Sequence, residues 1–466
     1  MSIAATYHDG ESITARRIRQ TAALLPALLI AYSVLIDPLA NLGGETSLDY
    51  QGFAVEMKEK STDLARFFIP PLFAAALFLA CAARQASSLW QRATTFWLAA
   101  FLGLAVVSCA WARNPEISLT LAVYQTMLCA TLALAVATAR DADRILAALF
   151  WLFVVVVAVN LAFVVTRPPG PIGHPGIYPY KNTLGGSATC GLLFALLFLT
   201  RGSRLVRLIA LGTALGAVYL LYASDSKTAV AMALAAPILA FALYGAQQLL
   251  RIPILVLLIA GTAAALALLA IGGQLFGFAS GDILTLLFGE ATFTGRTHVW
   301  AFIQSHIADQ PILGHGYRGF WGIGPDSPKL RAEIEFIRIT GSSHNGFLDN
   351  LLDLGIVGFV VCLAFIVSIF QAIQRRTMRP VGLTVFYLAV VLFVIGRNLM
   401  ESVILWSTFF DNLLFILVGF LAGQDQAMSR QPLRSDEAAA STDNSDEVRW
   451  RAHGPAPAFL HARRTP

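Results

Sequence analysis

I-L-A-A-L-F-W-L-F-V-V-V-V-A-V-N-L-A-F-V-V, residues 145–165, carries one polar side chain, Asn160, and no charge. As a helix rising about 1.5 Å per residue, it is long enough to cross the ~30 Å hydrocarbon layer of a bilayer. Working outward, similar windows recur at 21–40, 67–83, 93–111, 117–138, 183–200, 205–222, 228–246, 252–271, 347–370, 381–396 and 403–421, separated by short polar breaks. No strand-like alternation accompanies them, which excludes a membrane barrel. The pattern predicts an all-α integral membrane protein, a polytopic helical bundle of about twelve transmembrane helices.

Composition points the same way. Of 466 residues, 57% are hydrophobic and 13% are charged, and the mean hydropathy is +0.67. That exceeds the apolar share of soluble domains and leaves too few charges to cover a globule, so lipid must solvate much of the surface. Cys81, Cys109, Cys129, Cys190 and Cys362 all fall in apolar windows. There a thiol behaves as a small hydrophobe, and the spacing fits neither a metal site nor a disulfide framework. The net charge of +5 is spread over loop ends. No basic stripe interleaved with aromatics exists, so nucleic acid is excluded as a partner.

With the N-terminus inside, Arg16, Arg84, Arg140, Arg144, Arg201, Arg251 and Arg375 all lie on the cytoplasmic side, as the positive-inside rule requires. The chain then divides into a cytoplasmic N-terminus (1–20), transmembrane helices one to nine (21–271), a large extracytoplasmic loop (272–346), helices ten to twelve (347–421) and a disordered cytoplasmic tail (422–466). The first window has the basic flank of a signal peptide but no A-x-A cleavage site, and is read as an uncleaved anchor.

The loop 272–346 is the most informative segment. After an apolar piece around Ile283–Phe288, Val299, Phe302, Ile303 and His306 repeat at helical spacing. They predict an amphipathic helix over 297–309, ended by Pro311 and the glycines of 314–321. A second helix is expected from Pro328, with Leu330, Ile334 and Ile337 on one face and Arg331, Glu335 and Arg338 on the other. Such helices can lie on a membrane surface. S-S-H-N-G-F-L-D-N then leads into the next span, which puts His344 at the outer mouth of the bundle.

At these residues the chain resembles the O-antigen polymerase and O-antigen ligase superfamily, and within it the exopolysaccharide-polymerase branch. The carrying motifs are Gly295-Arg296-Thr297 with Trp300, Pro311-x-Leu313-Gly314-x-Gly316-Tyr317 with Phe320-Trp321, and His344-Asn345-Gly346-Phe347-Leu348 followed by Leu354-Gly355 and Gly358. Supporting matches are Lys181-Asn182-x-x-Gly185, Ser224-Asp225-Ser226-Lys227 and Arg397-Asn398-x-x-Glu401-Ser402. Members often carry an arginine where Lys227 stands, which puts bidentate phosphate binding there in question.

The resemblance implies glycosyl transfer from a polyprenyl-diphosphate-linked oligosaccharide to a sugar hydroxyl, on the periplasmic face of a bacterial inner membrane. It also implies that no metal or other cofactor takes part. A hydroxyl nucleophile benefits from a general base titrating near the working pH, and His344 is the candidate. The diphosphate needs cations in a site shielded from water. Arg296, Lys181, Lys227 and Arg397 are the candidates, with Asn345, Asn182, Glu401 and Asp349 in support.

Each residue also has a plainer reading. His344 could cap the following span, Arg296 could anchor its helix to lipid phosphates, and Lys181 and Lys227 could snorkel. Arg397 and Glu401, four apart, could form an ion pair. Asp349 and Asp353 suit a helix N-terminus, with orientation of His344 as the sharper role for Asp349. His298, His306 and His315 are rival bases.

Three functions follow: a polymerase that moves a growing chain onto the next lipid-linked repeat unit, a ligase that moves finished glycan onto lipid A core or another acceptor, and a flippase or exporter of lipid-linked oligosaccharide. The branch motifs favour the polymerase. A flippase gives no reason for a long outer loop ending in His344. Membrane lipid and a polysaccharide chain-length regulator are the candidate partners.

Overall fold

The computed structural model describes residues 13–40, 67–83, 93–170, 173–276, 295–375, 379–405 and 409–428. The piece at 283–288, nearly all of the 422–466 tail and the stretch 41–66 lie outside them. The described chain is helical: α1 (Ile13–Ala22), α2 (Leu25–Ala40), α3 (Phe67–Ala82), α4 (Ala93–Ser108), α5 (Pro115–Ala139), α6 (Ala142–Thr166), α7 (Lys181–Arg201), α8 (Arg204–Ser224), α9 (Lys227–Leu250), α10 (Ile254–Phe276), α11 (Arg296–Asp309), α12 (Glu335–Ile339), α13 (Gly346–Gln374), α14 (Val381–Asn398) and α15 (Phe410–Met428). Among the described residues nine helices are long and apolar enough to cross a membrane, α1 and α2 counting as one, and α3, α4 and part of α15 are shorter apolar helices. The protein is an all-α multi-pass membrane protein.

Local chemistry sets the helix ends. Asn114 caps α5 by accepting from Ile117 N, Pro115 opens it, and Arg140 closes it in the left-handed region. Asp141 then caps α6 through Arg144 N. These devices turn the chain within two or three residues, so successive helices run antiparallel.

The helices around the site are the most enclosed. Of their apolar windows, 78% is buried in α7 and 72% in α14, against 6% in α10, which therefore stands at the lipid-facing rim. In α7, Gly185, Gly186, Ser187, Ala188, Thr189, Cys190 and Gly191 are all buried. Small residues let neighbouring helices approach closely: a Cβ at Gly185 would sit 2.6 Å from that of Ala229, and one at Gly191 would sit 2.7 Å from Val157.

Three expectations need correction. The window 403–421 does not begin a helix at 403, because Val403, Ile404 and Leu405, though fully buried, form an irregular turn. Their backbone is satisfied by side chains: Asn398 Oδ1 accepts from Val403 N and Ile404 N, and Asn412 Oδ1 from Leu405 N. The helix expected from Pro328 is instead a 3-10 turn, Pro328–Arg331, and the short α12, separated by extended backbone at Ala332 and Ile334. The amphipathic α11 forms as expected, but its apolar face meets protein rather than lipid. Val299 and Ile303 are buried with Phe320, Trp321, Ala332, Ile337 and Leu352 in a small core of their own.

That small core is joined to α13 at a break in the helix. Gly355 has φ 62° and ψ −163°, inside an otherwise continuous helix. Ile356 N and Val357 N, turned out of the ladder, donate to Pro311 O at 2.9 Å and Ile312 O at 3.3 Å, while Leu352 O accepts from His315 N at 2.9 Å. A Cβ at Gly355 would lie 2.3 Å from the Ile312 carbonyl, and one at Gly314 would lie 2.5 Å from Asp353 C. The P-x-L-G and L-G motifs are thus two sides of one contact, in which loop backbone replaces missing helix backbone.

Candidate active site

His344 is presented by a strained and braced backbone. It adopts φ 54°, in the left-handed region, uncommon for a residue with a Cβ and often a mark of function. Asn345 follows as the N-cap of α13, its Oδ1 accepting from Phe347 N and Leu348 N. Gly346 is required next because a Cβ there would fall 2.0 Å from Asn398 Oδ1. On the other side of His344, Ser343 O accepts from Trp300 Nε1 at 3.0 Å and Ser343 Oγ donates to Asn345 O at 2.7 Å. Asp349, fully buried, accepts from Ser343 N, Trp321 Nε1 and Ser402 Oγ. Its carboxylate fixes the backbone before His344 and does not touch the imidazole.

Glu401 is where the separate motifs meet. Its Oε1 accepts from Asn182 Nδ2 at 2.8 Å and from Arg296 Nη2 at 3.2 Å, and its Oε2 lies 3.2 Å from His344 Nδ1. The carboxylate side chain is 21% exposed. Burial alone would push its pKa up, but the hydrogen bond and charge of His344, with the charges of Arg296 and Arg397, outweigh that and hold it at about 2. It is therefore anionic across the working range. An anionic Oε2 requires a donor, which assigns the proton of a neutral His344 to Nδ1 and leaves a lone pair on Nε2.

Nε2 has a neighbour of its own, Thr340 Oγ1 at 3.3 Å. Thr340 Oγ1 is also 3.1 Å from Ser342 O. The hydroxyl can donate to the lone pair of a neutral imidazole, or turn its hydrogen to Ser342 O and accept from an imidazolium. Both protonation states of His344 are then satisfied. Lys329 holds Thr340 from behind, its Nζ donating to Thr340 O at 2.7 Å, and burial lowers that ammonium's pKa. Carboxylate, imidazole and hydroxyl in a row can orient a histidine and take up a proton.

The other expected residues are placed as follows. Arg296 opens α11 and is 14% exposed, with Nη2 on Glu401 and Nη1 3.8 Å from Met400 Sδ. Asn182 joins Glu401 to the cap of α9, its Oδ1 accepting from Ser226 Oγ at 2.9 Å. Lys181 opens α7 and reaches the end of α8, donating to Asp225 O at 3.0 Å. Lys227, exposed, opens α9 next to Ser226. Arg397 is buried with Nη1 3.3 Å from Asp411 Oδ2, their side chains 8% and 1% exposed. The alternative reading of Arg397 and Glu401 as an ion pair is not the pairing found: Arg397 faces Asp411, and Glu401 turns to His344 and Arg296.

The rival histidines lie elsewhere. His298 is exposed on α11, and His306 Nδ1 meets Phe302 O at 2.9 Å. His315 is buried, which lowers its pKa, with Nε2 2.9 Å from His306 O. Sequence reasoning missed Thr340 and Asp411. Thr340, four residues before His344, carries no motif, while an aspartate within an apolar window was itself a signal worth following.

One protein family, described as O-antigen ligase, matches residues 211–363. The match bears out the resemblance to the O-antigen polymerase and ligase superfamily and supports polymerase or ligase function in general. It takes in Lys227, Arg296, His344 and Asp349, while Lys181, Asn182, Arg397 and Glu401 lie outside it. No curated protein is similar enough to the chain to match it.

Proposed function

We propose that the protein is a polymerase of polyprenyl-diphosphate-linked oligosaccharide repeat units in exopolysaccharide or O-antigen synthesis, acting without a metal on the periplasmic face of a bacterial inner membrane. The observation that carries this reading is Glu401, which binds His344, Arg296 and Asn182 at once. A candidate base and a candidate anion-binding group thereby share one carboxylate. In the proposed step a sugar hydroxyl attacks the anomeric carbon of the donor. The new carbon–oxygen bond forms as the bond to the diphosphate breaks, the proton goes to His344 Nε2, and polyprenyl diphosphate leaves. Glu401 fixes the tautomer and orientation of the imidazole. In this reading Arg296, with Lys181 and Lys227, holds the diphosphate, whose good leaving-group character makes a protein acid unnecessary. The O-antigen ligase description of the matching family favours, as the second reading, transfer to lipid A core or another acceptor.

The test is an assay of the purified protein with lipid-linked repeat units. The expected result is a longer glycan with release of polyprenyl diphosphate. His344→Ala should lower the rate by ~10²–10⁴-fold with donor affinity nearly intact, since a general base acts in the transition state. Substitution of His298, His306 or His315 should cost far less. Transfer only to a lipid A core acceptor would select the ligase, and transport without release of polyprenyl diphosphate would select the flippase. A fully active His344→Ala protein would remove the mechanism.

A further inference from the structure

The ion pair of Arg397 and Asp411 has no part in that scheme, yet it stands directly behind Glu401. The Arg397 guanidinium lies against the backbone of Gly186, where an added Cβ would fall 1.6 Å from Nη1. Gly186 is one turn beyond Asn182 on the same face of α7, and Asn182 holds Glu401. Along that face, Asn182 marks the level of Glu401 and Gly186 that of Arg397. The backbone of Arg397 also shapes the turn that carries Glu401, its carbonyl accepting from Met400 N at 2.9 Å and Glu401 N at 2.8 Å. An arginine 8% exposed and already opposite a carboxylate is poorly placed to receive a diphosphate.

We propose that Arg397 and Asp411 are positioning residues, a buried counter-ion pair that fixes the turn of Glu401 and supplies positive charge on its inner side, without contact to the donor. The inference rests on His344 and Glu401 acting as base and orienting carboxylate. The groups facing Glu401 are His344 and Arg296 on one side, Asn182 from α7, and Arg397 beneath. The charge of Arg397 is one of those that depress the pKa of Glu401. Asp411 prevents that charge from being buried uncompensated.

Steady-state transfer by the purified full chain, followed against donor concentration and pH, separates positioning from donor binding. Arg397→Gln should lower kcat by about tenfold or more with the donor KM within about twofold of wild type. Its acid limb should move to higher pH, because losing a nearby positive charge makes protonation of Glu401 easier. Arg397→Lys, which keeps the charge, should retain the limb and most of the turnover. Gly186→Ala, which displaces the guanidinium without changing any charge, should fall between them.

Should Arg397→Gln fail to fold, the double variant Arg397→Gln with Asp411→Asn removes both buried charges together and is read in the same way. A raised donor KM with kcat and acid limb unchanged would make Arg397 a donor ligand and overturn the proposal, as would wild-type kinetics in Arg397→Gln. A fully active Glu401→Gln would bring down the underlying reading instead. Inactive His344→Ala and Glu401→Gln beside an unaffected Arg397→Gln would bring down the positioning role alone.

Discussion

Thr340 joins the site through one hydroxyl, so its replacement is the sharpest single-atom test. Thr340→Val keeps the shape and removes the partner of Nε2 in both protonation states. Turnover should fall about two- to tenfold, the worth of one such hydrogen bond, and Thr340→Ser should restore it. Glu401 yields a stability prediction whose sign follows from its depressed pKa. Its ordinary value is 4.5 and its folded value about 2, so its ionised partnerships stabilise the fold fully above the first and are lost as pH falls through the second. Melting in detergent should show wild type ahead of Glu401→Gln at neutral pH, with the difference shrinking as pH drops below about 4.5. The candidate site was legible in part. His344, Arg296 and Asn182 could be read because they stand in motifs. Their meeting at Glu401 could not, because the contacts span 57, 105 and 219 residues of sequence. Local spacing offered Glu401 a partner four residues back, but the side chain of Arg397 is taken by Asp411.

Helices were read best where periodicity and lipid demand the same thing. The window 145–165 became α6 almost residue for residue, since an apolar run in lipid has no alternative to helix. Failures came where side chains substitute for backbone partners. Asn398 and Asn412 hold 403–405 in a turn although those residues are as apolar as any span. The stretch from Pro328 had helical spacing, but Lys329 and Arg338 spend their donors on the carbonyls of Thr340, Ala332 and Glu333, and the chain folds over itself instead. The break at Gly355 gives the prediction at this scale. Gly355→Ala adds a methyl group 2.3 Å from the Ile312 carbonyl at a φ of 62°. It should destabilise the protein by about 2–4 kcal/mol, seen as a lower melting temperature and less folded protein after extraction. Ala substitution at Gly322, whose Cβ would meet nothing within 4 Å, is the control.

At the scale of the molecule the arginine distribution predicts that the loop 272–346 is extracytoplasmic and both termini are cytoplasmic. In a variant with its own exposed Cys81 replaced by serine, a cysteine at the exposed Asp326 should react with an impermeant thiol reagent in intact spheroplasts. One at Ser441 should react only after lysis, and the reverse pattern would invert the whole arrangement, site included. The junction at Gly355 then bears on the order in which the protein is made. The amides of Ile356 and Val357 find their acceptors in Pro311 and Ile312, residues that leave the ribosome earlier. Left bare in lipid, two such groups cost several kcal/mol each. If the loop is extracytoplasmic as predicted, the span 346–374 is complete only once a segment carried across the membrane folds back onto it. On that topology, export of the loop is a step in the insertion of the helix that follows.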